Sequence, residues 1–367
     1  MAFLKLTVAM LIFAAVYFRF TLIILFFYTQ SFSQTIGGAT VFNFLNLPNT
    51  PQLTALGGVN VSFLSNDIGM AYYNPALLKQ SMHTQVNVVF NDFYAGIKTY
   101  HFSSGYHHEK LKTNFSYGLH YFNYGNITQT DAAGNIFGEL RPVDFTMQVS
   151  ASHYYKEKWN AGASLKYISS NYGQYKANGL AMDIGLLYSD TAKLFNASVL
   201  VKNAGFQLRK YNGSRAGDLP FDVQAGVTQR LKNAPFSFSF TGHHLNVFDI
   251  SNNDTLFNNT NDFDSDNKKF SFDKLFRHIV IASTIHVDKK LEATIGYNHL
   301  RRKELNIGKD GNGLNGFSVG VGVLLNKIQF RFSRANYQNN TAYNQLGLNL
   351  KLNDYFGLGK FGKQIGW

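Results

Sequence analysis

The chain has 367 residues, of which 45% are hydrophobic, 16% aromatic and only 15% charged, with no cysteine and a formal charge of +12. It is too apolar for a disordered chain and too poor in charge for an average soluble enzyme, while a mean hydropathy of −0.15 is far below that of a polytopic helical transporter. The basic excess is scattered, and its densest runs, Arg301-Arg302-Lys303 and Lys268-Lys269, are too short for the clustered stripe that nucleic acid requires.

Residues 1–33 read as an export signal. Leu11 to Tyr28 is apolar apart from Arg19 and Thr21, so Arg19 can serve as the positive n-region ahead of a short apolar core from Phe20 to Tyr28. Ser31-Phe32-Ser33 then gives the small-x-small pattern that precedes a cut. Arg19 also splits the apolar run into pieces shorter than the roughly 20 residues of a membrane-spanning helix. In an exported chain without cysteine, hydrogen bonding and burial must hold the fold without disulfides.

Residues 34–83 lack the strand alternation seen downstream. They carry Leu47-Pro48-Asn49-Thr50-Pro51, Leu56-Gly57-Gly58 and Tyr73-Asn74-Pro75-Ala76-Leu77-Leu78, and read as a small plug or periplasmic cap. Pro75 can open a short helical turn capped by Asn74, leaving Leu77 and Leu78 to bury against a barrel interior.

From residue 84 to residue 352 apolar residues recur at every second position, which puts them on one face of a sheet. Leu180, Met182, Ile184, Leu186 and Tyr188 alternate with Ala181, Asp183, Gly185 and Leu187, and Phe317, Val319, Val321, Val323 and Leu325 with Ser318, Gly320, Gly322 and Leu324. Phe236, Phe238 and Phe240, and Leu346, Leu348, Leu350 and Leu352, repeat the pattern. It suits a soluble sandwich with apolar faces inward or a membrane barrel with them outward, and length decides. The runs are about 10 to 14 residues long, against about 5 to 6 for strands of soluble sheets and about 9 to 11 for strands that cross a bilayer. About fourteen such runs fit an all-β transmembrane outer-membrane barrel of antiparallel strands, followed by a tail over residues 353–367.

Connection lengths sort by side as such a barrel requires. The long ones, Tyr124 to Arg141, Phe206 to Asp218, Phe248 to Leu275 and Arg302 to Gly313, alternate with turns such as Tyr155-Lys156-Glu157 and Lys232-Asn233-Ala234. Both termini are then expected on the periplasmic side. Tyr154, Tyr155, Trp159, Tyr172, Tyr188, Tyr337 and Tyr343, at strand ends, are expected to form interfacial girdles.

Chemical motifs are sparse. Gly316-Phe317-Ser318-Val319-Gly320 matches G-x-S-x-G but lies inside a strand rather than at a strand-turn-helix elbow, so a Ser318–His299 hydrolase pair has little support and no enzyme is expected. Gly311 to Gly316 matches G-x-G-x-x-G but reads as a hairpin loop. The adjacent pairs His107-His108 and His243-His244 point to opposite faces if they lie in strands, which disfavours a histidine metal site. A sharper pattern is Asp262, Asp264 and Asp266 with Asp273 at the twelfth place, resembling a calcium loop that lacks the turn glycine and the final glutamate. No other cofactor is indicated. Ile136, Phe137, Leu256 and Phe257 are apolar residues in the two longest loops and are candidates for contact with a protein partner.

Pro51-Gln52-Leu53-Thr54-Ala55-Leu56-Gly57-Gly58-Val59-Asn60-Val61, then Asn66-Asp67, then Asn74-Pro75-Ala76-Leu77-Leu78, resembles the N-terminal signature of the PorV/PorQ branch of FadL-like barrels in the type IX secretion system. The resemblance extends over the mature chain. It implies a non-enzymatic outer-membrane component of the surface attachment complex, embedded in lipid and paired with a PorZ-type surface protein, with PorU and PorV in the same complex. The alternative is a FadL-like channel for long-chain fatty acids or other hydrophobic molecules.

Overall fold

The computed structural model describes residues 40–131, 133–250, 271–288, 290–306, 312–338 and 341–356; the export signal expected at residues 1–33 lies outside them. Fourteen antiparallel strands close into a barrel. They are β1 (Gln85–Asp92), β2 (Lys98–His108), β3 (Thr113–Asn123), β6 (Val143–Tyr155), β7 (Trp159–Tyr172), β8 (Tyr175–Asp190), β9 (Phe195–Arg209), β10 (Asp222–Arg230), β11 (Phe236–Gly242), β12 (Ile279–Val287), β13 (Leu291–Asn298), β14 (Phe317–Leu324), β15 (Ile328–Gln338) and β16 (Thr341–Lys351). A separate hairpin, β4 (Ile127–Thr130) with β5 (Ile136–Leu140), stands in the connection between β3 and β6. Each wall strand pairs with its neighbours in sequence, and β1 closes the ring against β16 in the register Val86↔Leu350.

The alternation has the sense of a membrane barrel. In β14, Val319, Val321 and Val323 are exposed on the outside, while Ser318 is buried within. Leu180, Ile184 and Leu186 of β8 and Phe238 and Phe240 of β11 are likewise exposed, and Asp183 and Ser239 are buried. Apolar groups that would be costly to show to water thus form an outer band suited to lipid, and polar groups line the lumen. Among the described residues no helix is long and apolar enough to cross a membrane.

Several strand ends differ from those that the alternation and the connections suggest: β9 runs on to Arg209, β12 starts only at Ile279, and β13 stops at Asn298. β2 begins only at Lys98, after a turn over Tyr94–Gly96 in which Ala95 takes φ 55°. β11 ends at Gly242 rather than running to residue 247, because the backbone at His244 turns left-handed, with φ 54°. The girdles are also thinner than expected. Tyr155 and Trp159 are exposed on the outside, with Tyr188 against the Trp159 ring, whereas Tyr343 is fully buried and hydrogen-bonds Pro48 from within. Tyr172 turns inward to Asp144, and Tyr337 lies under the guanidinium of Arg301. Their positions in the two-residue repeat, rather than their nearness to a strand end, decide their side.

Residues 40–83 fill the lumen. They form short helical turns, among them α1 (Pro51–Ala55) and α2 (Ile68–Tyr73), with further turns at Asn43–Asn46, Pro75–Leu77 and Gln80–Met82. Leu53, Leu56, Met70 and Leu77 are fully buried, against wall residues Leu187, Leu200 and Ala282 that face inward. Each such side chain contributes roughly 1.5–3 kcal/mol on burial. Leu187 had no partner in the alternation argument, and the plug supplies it.

Candidate functional site: a plugged lumen under an apolar rim

The residues that resemble the secretion-system signature prove to be the joinery of the plug. Asp67 caps α2 by accepting from Gly69 N at 2.9 Å and takes the Thr50 hydroxyl at 2.6 Å. Asn74 Oδ1 accepts from Ala76 N at 3.0 Å, and its Nδ2 donates to Val61 O at 2.8 Å and to Ser198 Oγ on β9 at 3.0 Å. Wall residues reach in to meet backbone that the short turns leave unpaired: Asn160 Nδ2 donates to Ala76 O and Leu78 O, and Gln345 Nε2 to Pro48 O. Glycines on the lumen face admit this close approach. A Cβ at Gly162 would overlap the Pro75 carbonyl, one at Gly185 the Asn74 side chain, and one at Gly296 the backbone of Gly57.

Charged groups complete the seating. Lys166 and Asp183, both buried, pair at 2.5 Å beside a bulge at which Lys202 and Asn203 of β9 stand opposite Asp183 alone. Asn203 fills the bulge with a left-handed φ of 56°, donating its N–H to Asp183 and accepting from Lys166. Lys202 donates to Leu45 O of the plug and lies 4.0 Å from the centre of the Tyr73 ring. Inward charges of this kind could not be singled out in the sequence, because nothing in the alternation says which polar residues meet a plug.

Two cavities adjoin the packed region. A cavity of about 20 Å³, enough for a single water, lies between Phe44, Lys202, His120 and Thr146. At the short-turn end a wider cavity of about 630 Å³ is walled by Lys79, Arg230, Arg331 and Lys351 with Asp288 and Glu292. Burial, with Lys351 nearby, lowers the Lys79 ammonium to about 8. This vestibule is polar and charged, and it stops at Phe63 and Leu64 of the plug.

The opposite rim carries the long connections. On the β4–β5 hairpin Ile136 is 72% and Phe137 65% exposed. The hairpin is braced at its turn by Asp131, which accepts from the Asn135 side chain and backbone at 2.8 Å and from Ala133 N at 2.9 Å. Those bonds, led by the Asn135 side chain, hold its carboxyl below the ordinary value. Next come α3 (Phe272–Arg277), with Phe272 exposed, and α4 (His299–Leu305). Asp273 joins the two helices, meeting Arg277 at 2.7 Å and Lys303 and His299 at 3.0 Å each. Partial burial raises its pKa, but hydrogen bonds from His299, Lys303 and Arg277 outweigh that and hold the carboxyl well below the usual range.

Of the expected site residues, Asp262, Asp264, Asp266, Leu256 and Phe257 lie outside the described residues. Asp273 is engaged by three basic side chains, and Ile136 and Phe137 stand together on one hairpin. Ser318 and His299 are not brought together. Ser318 Oγ donates to Ala55 O at 3.1 Å within the plug contact, and His299 faces Asp273 and Tyr297. The histidine argument needs correction at one pair. His243 and His244 lie beyond the end of β11, so strand alternation does not separate them, and their Nδ1 atoms stand 2.6 Å apart next to Asp222.

No family model matches the chain, and no curated protein matches it. Among solved structures, a deltaS2 mutant of the TodX monoaromatic hydrocarbon channel is 14% identical, covering 83% of this chain and 98% of its own, with a TM-score of 0.46. The deltaS2S3 mutant of the same channel is also 14% identical, with 82% and 97% covered and a TM-score of 0.48. A KdgM porin is 3% identical, with 72% and 98% covered and a TM-score of 0.31.

Proposed function

We propose that this chain is a non-enzymatic barrel of the bacterial outer membrane that anchors a PorZ-type surface protein in the type IX secretion system. Its role would be that of PorQ, with PorU and PorV in the same complex. The observation that carries the reading is the contrast between the two ends of a filled lumen: Ile136 and Phe137 project together from a braced hairpin on the long-loop rim, and the short-turn end opens on a charged vestibule. A specific interface is built on apolar anchors within a polar rim, and Ile136 and Phe137 among Asn126, Glu139 and Arg141 have that composition. The alternative, a FadL-like channel for long-chain fatty acids or other hydrophobic molecules, would route its cargo through a lumen in which wall glycines touch plug backbone.

The experiment shortens the β4–β5 hairpin and residues 255–266 together, verifies barrel assembly, and measures recovery of the surface partner and retention of secreted cargo. Loss of both supports the anchor. Unchanged recovery and retention, with a fall in fatty-acid uptake, would transfer the assignment to the channel.

A further inference from the structure

Asp222 opens β10, and His243 and His244 follow directly on β11, its neighbour in the wall. One ligand atom from each of the three residues lies within 4.8 Å of the others. His243 and Asp222 are buried, and His244 is half-buried. The two Nδ1 atoms face each other at 2.6 Å, a contact that two neutral rings satisfy only when one carries its proton there and the other offers a lone pair. The second nitrogen of His243, Nε2, is buried with no hydrogen-bond partner.

The carboxylate is held but not exhausted. Asp222 Oδ1 accepts from His244 N at 2.6 Å and Oδ2 from Gln224 Nε2 at 2.6 Å, which leaves lone pairs on both oxygens. Gln224 is oriented in turn by the Tyr73 hydroxyl at 2.9 Å. Outer partners of this kind fix the ligands of metal sites. The His278 ring lies between the carbonyls of His243 at 2.8 Å and Phe248 at 3.0 Å.

We propose that Asp222, His243 and His244 bind one first-row divalent cation, with Zn²⁺ the best fit, and that the cation fastens the root of the longest outer connection to the barrel wall. Two imidazoles and one carboxylate are a familiar donor set for zinc, at about 2.0–2.2 Å per bond, with water in a fourth position. Calcium, which takes about 6–8 oxygen ligands, does not suit it. The site is independent of the anchoring role and of the aspartate-rich stretch further along the same connection.

The test uses the full mature chain in detergent micelles, stripped with chelator and titrated with Co²⁺ as a spectroscopic stand-in and then with Zn²⁺. The expected result is one Co²⁺ per chain with the strong visible absorption of a four-coordinate site, displaced by Zn²⁺. His243→Gln, His244→Gln and Asp222→Asn should each weaken binding by at least about 10-fold, the lower end of what loss of an outer partner costs. Heat-modifiable gel mobility reports that each variant is still a folded barrel, and half-buried His244 covers the case in which a change at His243 disturbs the wall. His108→Gln, in the other adjacent pair, should bind as the parent does. Absence of stoichiometric binding by the parent chain, equal affinity in the folded site variants, or loss in His108→Gln would overturn the assignment.

Discussion

Glu292 reaches Arg331 across Gly322. The three residues are in register on β13, β14 and β15, and the carboxylate meets the guanidinium at 3.0 Å over a strand position that has no side chain. A Cβ at Gly322 would press on Glu292 Cγ, so the small residue between them is what permits the pair. Arg331 Nε also donates to Gln52 of the plug at 3.0 Å, which ties the pair to the lumen filling.

Removing one partner of a buried ion pair costs about 3–5 kcal/mol because the other charge is left uncompensated. Arg331 borders the open vestibule, so Glu292→Ala should fall at the lower end, about 3 kcal/mol. The double variant Glu292→Leu/Arg331→Met should recover most of that loss. Urea unfolding of the refolded barrel measures both, and a midpoint unchanged in Glu292→Ala would refute a stabilising role for the pair.

The plug should be dislodged from the wall side. Gly162→Leu and Gly185→Leu place bulk where Pro75 and Asn74 sit, and overpacking of this kind costs typically about 1–3 kcal/mol. The expected outcome is a barrel that still assembles but whose plug is cut by trypsin at Lys79 much faster than in the parent. Equal cleavage rates would mean that the wall yields instead.

Outward and inward positions on β14 should differ in their tolerance of charge. Arginine at a lipid-facing midplane site costs roughly 2–4 kcal/mol, so Val321→Arg should impair assembly. Ser318→Asn adds a polar group to the lumen face and lacks that penalty, although it crowds Ala55. Full and equal assembly of the two variants would reverse the assignment of faces.

At the long-loop rim, the Asp273 carboxyl has a folded value below its unfolded one, about 3.9. Such a group stabilises fully above the unfolded value and loses its contribution as pH falls through the folded one. Hydrogen exchange of residues 271–278 should therefore hold steady from about pH 7 to about 5, after correction for the intrinsic rate, and accelerate in strong acid. Asp273→Asn should exchange faster than the parent from about pH 7 to about 5 and converge with it in strong acid. A release between pH 7 and 5 in the parent chain would point to a different clamp.

The wall was legible because its rule is local. Val319, Val321 and Val323 declare their side by period two, and about fourteen such runs, with connections sorted by length, lead to the fourteen strands observed. What failed was the extension of that rule to residues whose surroundings are set elsewhere in the chain. Tyr343 sits at a strand end as a girdle residue would, yet its register faces it to Pro48. His243 and His244 look like strand neighbours until the left-handed turn at His244 swings their rings together. The signature from Pro51 to Leu78 stood out as a motif, and its residues turn out to satisfy the plug's own backbone and its seat on the wall. It therefore describes how the lumen is filled, whereas Ile136 and Phe137, which no repeat or motif marks, stand exposed on the long-loop rim.

The filling segment is held at both rims. Thr40 bridges to Asp218 among the long connections, while Thr84 bonds Gly105 and Leu352 where the wall begins and ends. A lid hinged at one edge could swing aside and return; a strut pinned top and bottom cannot. Clearing a path would require unpinning an end or melting the strut where it stands, and either event would strip many buried hydrogen bonds at once. The same arrangement makes the segment an internal brace that ties one rim of the barrel to the other.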